Sequence, residues 1–176
     1  MKKIVLRYGT YAALAELVIF VLIWLVIWLF NPSHTAQGYI GWVNLLCPLL
    51  FIYFGIRYYR DKVNNGQVTL LKALAIGLLI TLIPAIAFAL IETVFVIYIE
   101  PNFYENIAKY DLEQYRKTLS PVAFAAKAKE MQQQVVLSNN PAYNFCMMVV
   151  SIASLGTIAT VISSLILQRK TAKAGH

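Results

Sequence analysis

The sequence predicts an all-α membrane protein: four transmembrane helices, with an extracytoplasmic pair of amphipathic helices between helices 3 and 4. Three observations carry that reading. Of the 176 residues, 60% are hydrophobic and only 13% charged, with a mean hydropathy of +0.65. Soluble domains run nearer half apolar and a quarter charged. Two long stretches, residues 17–56 and 73–91, contain no Asp, Glu, Lys or Arg. Between residues 100 and 141, by contrast, apolar residues recur at helical spacing among charged ones. A water-soluble fold, a disordered tail and a nucleic-acid-binding domain all fit this composition poorly.

A helix needs about 20 apolar residues to cross about 30 Å of hydrocarbon. Residues 8–30 meet that need and form span 1. Its run is longer than a signal peptide's, it carries Glu16, and no small-residue cleavage site precedes Asn31, so it is expected to stay as a helix. Trp24 and Trp28, four apart, share a face suited to the outer interface. The polar turn Asn31 to Gly38 separates span 1 from span 2, residues 39–59. Tyr39 and Trp42 mark one end of span 2, Tyr53, Tyr58 and Tyr59 mark the other, and Pro48 predicts a bend within it. Asn65-Gly66 supplies a tight turn and Thr69 an N-cap for span 3, residues 70–97, where Pro84 predicts a tilt or kink.

In the insertion, residues 100–141, Tyr104, Ala108, Leu112, Tyr115 and Leu119 form one helical stripe. Ser120-Pro121 reads as N-cap and first residue of a second helix, whose stripe is Phe124, Ala128, Met131 and Val135. Span 4 covers residues 143–167. Ala153, Thr157, Thr160 and Ser164 recur along it as a candidate helix-packing face, because small residues let membrane helices approach closely. Packing within the chain is the first reading of that face, and a homo-oligomer seam or a lined polar path are the alternatives.

The formal charge is +7. Ten bases (Lys2, Lys3, Arg7, Arg57, Arg60, Lys62, Lys72, Arg169, Lys170 and Lys173) fall on one side of a four-span topology, opposed only by Asp61. Five bases and five acids balance on the other side. The positive-inside rule therefore places both termini in the cytoplasm. The net charge is a topology signal, with weak attraction to anionic lipid, rather than a nucleic-acid footprint.

Glu16, Asn44 and Glu92 are the candidate intramembrane polar site. An ionisable group in hydrocarbon is expensive and therefore sheltered, protonated or functional. At about 1.5 Å per residue, Glu16 lies ~5 Å to the cytoplasmic side of its span's centre and Glu92 ~12 Å to the outside of its own. That separation of ~17 Å forbids direct pairing. Glu92 is thereby expected at the interface, and Glu16 within the span with Asn44, Thr81 or a span-4 hydroxyl as partner. Asp61 reads as a salt-bridged loop residue, and Cys47 and Cys146 as free packing cysteines. No catalytic constellation, cofactor motif or set of metal ligands is evident, with His34 alone in a loop and His176 terminal.

The segments Tyr59-Arg60-Asp61-Lys62-Val63-Asn64-Asn65-Gly66, Lys72-Ala73 and Gly77 to Ile83 resemble the domain of unknown function 4199 family. So do Pro101-Asn102-Phe103, Asn140-Pro141, Gly156 and Ser163 to Lys170. The resemblance spans nearly the whole chain and implies a four-helix inner-membrane protein of Bacteroidota. It implies no activity, cofactor or site residue. The expected function is non-enzymatic, through assembly with itself or another membrane protein in the lipid bilayer. The alternative is a small proton- or ion-coupled carrier using Glu16.

Overall fold

The computed structural model describes residues 1–168. Arg169, Lys170, Lys173 and His176 lie outside the described residues. Among the described residues, four helical stretches are long and apolar enough to cross a membrane: Lys2–Phe30, His34–Val63, Leu70–Ile99 and Pro141–Leu167. Each is longer than the span expected from the sequence, residues 8–30, 39–59, 70–97 and 143–167. Composition marks the hydrocarbon, whereas the helix continues until a capping residue or turn stops it.

Helix α1 (Lys2–Phe30) stops at Asn31, which adopts the left-handed region at φ 40 while its N–H donates to Ile27 O. Asparagine tolerates that conformation better than most residues. The connection then needs only Pro32 and Ser33. The Ser33 hydroxyl accepts from Ala36 N at 3.4 Å and starts α2 (His34–Leu46). The expected turn over 31–38 is therefore shorter than its composition suggests, since His34 to Gly38 are already helical. Pro48 produces a 3₁₀ turn over Cys47–Leu49 before α3 (Leu50–Tyr58). A proline has no N–H for the carbonyl four residues back, and here that residue is Asn44.

A π-helical turn, Tyr59–Val63, leads into the loop. There Asn65 (φ 50) and Gly66 (φ 78) are both left-handed, and Asn64 Nδ2 clamps Gln67 O at 2.7 Å. Thr69 O accepts from Ala73 N at 2.9 Å as α4 (Leu70–Val94) begins. Pro84 is carried inside α4 without ending it, and a second π-helical turn, Phe95–Ile99, extends the span.

The chain forms two compact units: Met1–Phe88 with the chain from Val149, and Ala89–Met148. In the first, the core joins Ile4 and Val5 of α1 with Ile52 and Ile56 of α3 and Ile76 and Ile80 of α4. Here α4 and α7 (Pro141–Leu167) meet reciprocally. A Cβ on Gly77 would strike Thr160, and one on Gly156 would strike Thr81. Each glycine thus seats the threonine of the other helix. Glycine at such a contact lets two backbones approach where lipid supplies no hydrophobic drive.

In the second unit, α5 (Phe103–Thr118) and α6 (Pro121–Ser138) pack on one another. The Ser120 hydroxyl accepts from Ala123 N at 3.4 Å, with Pro121 at the first helical position. Ala108 and Met131 are buried, flanked by half-buried Tyr104, Leu112, Tyr115, Phe124, Ala128 and Val135, while Leu119 is exposed. Asn140 Oδ1 accepts from Ala142 N at 3.0 Å and Tyr143 N at 3.2 Å, capping the start of α7.

Candidate functional site

Among the described residues, the most developed polar cluster belongs to the second unit and centres on Glu92. This residue sits in the last turns of α4 and is 7% exposed. Tyr104 comes from the first turn of α5, where the Pro101-Asn102 turn places it at the helix start, and Asn144 from the first turn of α7, set by the Asn140 cap. Asn144 Nδ2 donates to Glu92 Oε2 at 2.6 Å. The Tyr104 oxygen lies 2.7 Å from Glu92 Oε1 and 2.6 Å from Asn144 Oδ1. Thr93 Oγ1 is a weaker acceptor for Asn144 Nδ2 at 3.4 Å. Burial, and then the hydrogen bond with Glu92, hold the Tyr104 hydroxyl well above the usual phenol range. Phe103 stacks edge-on against both Tyr104 and Phe95. The cluster ties one end of α4 to the starts of α5 and α7 through three short hydrogen-bonding contacts, between the buried Glu92 and Asn144 and the half-buried Tyr104.

The remaining polar candidates lie in the first unit. Glu16 is 2% exposed, and its Oε2 has no hydrogen-bond partner. Asn44 is buried as well, with Oδ1 unpartnered. The Thr81 hydroxyl donates instead to Gly77 O at 2.9 Å, within its own helix. The partners that hold Glu92 are thus Tyr104 and Asn144, which sequence reasoning did not select. The available signals were slight: a tyrosine on the inward stripe of α5, whose hydroxyl needs a partner once buried, and an asparagine in the first turn of span 4.

Along α7 from Val149 onward the buried positions are Ile152, Gly156, Thr160, Ser163, Ser164 and Leu167. Thr160 and Ser164 lie on that face, with Thr160 Oγ1 and Ser164 Oγ unpartnered, and Ala153 lies at its edge. Thr157 is exposed and donates to Ala153 O at 2.7 Å. The exposed hydroxyl face runs instead through Ser151, Ser154 and Thr157, with Ser154 Oγ donating to Val150 O at 2.7 Å. Asp61 is held by Arg60 at 2.6 Å and by Arg57 at 3.6 Å. Cys47 and Cys146 are free, and among the described residues no group of three His, Cys, Asp or Glu side chains could hold a metal ion.

No curated protein and no solved structure matches the chain. A family does, over residues 7–169, nearly the whole length. Four apolar helices, their connecting turns and that match agree, and the chain belongs to the family described as protein of unknown function (DUF4199).

Proposed function

We propose that this is a bacterial inner-membrane protein with both termini in the cytoplasm and the α5–α6 pair outside. It acts without enzymatic chemistry, by assembling with itself or with another membrane protein. The observation that carries this reading is the exposed face of α7. Ser151, Ser154 and Thr157 point away from the unit within a membrane-spanning helix, whereas the buried face of the same helix is already committed to α4 through Gly156 and Thr160. Small hydroxyl residues on an open face permit close helix contact and interhelical hydrogen bonds, at roughly 0.6–2 kcal/mol each. Native extraction into nanodiscs, with the mass of the complex measured, tests the reading. A stoichiometric assembly that Ser154→Leu disperses supports it, and a strictly monomeric, partnerless protein refutes it.

Glu16 favours a second reading, a small proton- or ion-coupled carrier. A buried carboxyl group without a partner in a spanning helix is costly unless it is used. Glu16→Gln should then abolish a pH-dependent flux in proteoliposomes. Flux equal to wild type in that variant removes the carrier.

A further inference from the structure

The ring formed by Glu92, Tyr104 and Asn144 has more oxygen atoms to bridge than its two hydrogen-bond donors can serve. Its three contacts are Glu92 Oε1 to the Tyr104 oxygen at 2.7 Å, the Tyr104 oxygen to Asn144 Oδ1 at 2.6 Å, and Asn144 Nδ2 to Glu92 Oε2 at 2.6 Å. Each contact needs one hydrogen between its two heavy atoms. The amide supplies one and the phenol one, because a tyrosine hydroxyl carries a single proton and an ionised carboxylate none. The third must belong to the Glu92 carboxyl group. Turning the Asn144 amide over leaves the count unchanged: Nδ2 then serves Tyr104, and Oδ1 faces a carboxyl oxygen with no hydrogen between them unless Glu92 supplies it. Two bare acceptors 2.6 or 2.7 Å apart, with the Glu92 and Asn144 side chains buried, would repel each other.

We propose that Glu92, Tyr104 and Asn144 constitute a proton-binding site, and that the bound proton latches the start of α5 onto α4 and α7. With the proton present, the carboxyl O–H donates to the Tyr104 oxygen, the Tyr104 O–H to Asn144 Oδ1, and the Asn144 N–H back to Glu92, so that every atom in the ring is satisfied. When the proton leaves, one contact becomes acceptor against acceptor. The start of α5 then loosens, because Tyr104 is its hydrogen-bonded link to both other helices. The groups that act on the carboxyl are Tyr104 on α5 and Asn144 on α7, and no charged side chain of α4, α5, α6 or α7 acts on it. Tyr104 keeps its own proton through the range concerned, since its hydroxyl is held above the usual phenol value by burial and by Glu92. The closed ring carries a proton that the open one can lose, so the latch weakens as pH rises.

A glutamine at position 92 supplies an N–H where the protonated acid has its O–H, and it has nothing to titrate. The test is hydrogen exchange of the α5 amides in the full chain in lipid nanodiscs, corrected for intrinsic exchange and followed from mildly acidic to alkaline pH. Protection of the first turns of α5 in the wild type should fall by up to about tenfold per pH unit, the limit set by one proton. In Glu92→Gln it should stay high and flat. Tyr104→Phe leaves only the amide-to-carboxyl contact, which needs no third proton, so its protection should be low at every pH and equally flat. Infrared spectra at the acidic end of the series should show a protonated carboxyl stretch that Glu92→Gln lacks. A flat wild type, a Glu92→Gln variant with the wild-type slope, or a spectrum without that stretch each overturns the proposal.

Discussion

Replacing Gly156 with alanine should reveal how tightly α4 and α7 are joined. The new Cβ would come within 2.7 Å of Thr81 Oγ1 and 3.0 Å of its Cβ, and would meet Cγ2 more closely still. Thr81 cannot turn away freely, because its hydroxyl is bonded to Gly77 O at 2.9 Å and the residue is buried. Overpacking of this kind costs about 1–3 kcal/mol, while alanine gains about 0.5–1 kcal/mol over glycine in a helix interior. The two effects oppose each other, and a single variant would read only their difference. A double-mutant cycle with Thr81→Ala separates them. Thr81→Ala alone removes the two closest atoms and leaves a gap; with Gly156→Ala present, the new methyl group occupies that gap. Only a Cβ at 3.0 Å then remains, which a shift of a few tenths of an ångström relieves. The helix-propensity terms cancel in the cycle, and a favourable coupling of about 1–2 kcal/mol should survive, as expected for residues in contact. Reversible unfolding by SDS in mixed micelles would measure it. Coupling within about 0.3 kcal/mol of zero, the range of independent sites, would refute the interlocked packing.

Gly41 provides the control, since nothing lies within 4 Å of a Cβ built there and it sits inside α2. Gly41→Ala should therefore stabilise by about 0.5–1 kcal/mol in the same assay. Thr160 is fully buried with its hydroxyl unpartnered. Thr160→Val keeps the shape and removes the orphaned oxygen, so it should be neutral or stabilising by about 1 kcal/mol; clear destabilisation would mean that the hydroxyl has a partner in the membrane. Gly66, at φ 78 in the loop before α4, should lose about 1 kcal/mol on conversion to alanine, read as a shift in the same transition.

The architecture was legible because a bilayer imposes a coarse rule. Charge-free stretches of sufficient length must cross, and Asn65-Gly66, Ser120-Pro121 and the α5 and α6 stripes are local signals that tertiary context did not override. The helix ends were less legible, since His34 to Gly38 look like a turn by composition but follow a competent Ser33 cap. The cluster was hidden for two reasons. Its members are 12, 40 and 52 residues apart in sequence, so no spacing rule joins them. Depth arithmetic also places Glu92 near an interface, which carries no information on the partners that Tyr104 and Asn144 supply. On α7, Thr157 is compatible by period with two adjacent faces, and the choice fell to Gly156, whose contact with Thr81 sets the rotation of the helix.

Glu16 separates a residue kept for structure from one kept for function. It ends the packed stripe of α1, following Val5, Gly9 and Ala12 at helical spacing, and no residue of α1 beyond it is buried. Glu92 recovers its burial through two hydrogen-bonding partners, whereas Glu16 Oε2 has none. An unsatisfied buried polar group costs about 1–3 kcal/mol, so a hydrophobic side chain of similar length should do better. Glu16→Leu is expected to raise stability by about 1–3 kcal/mol, while Glu16→Gln, which keeps a polar end in the same place, should change it little. If both substitutions destabilise, Glu16 has a partner in the membrane, such as a bound water or a second chain, and the orphaned description fails. If Leu stabilises while flux or assembly is lost, the carboxyl group is retained at a cost in stability, as expected of a functional residue rather than a packing one.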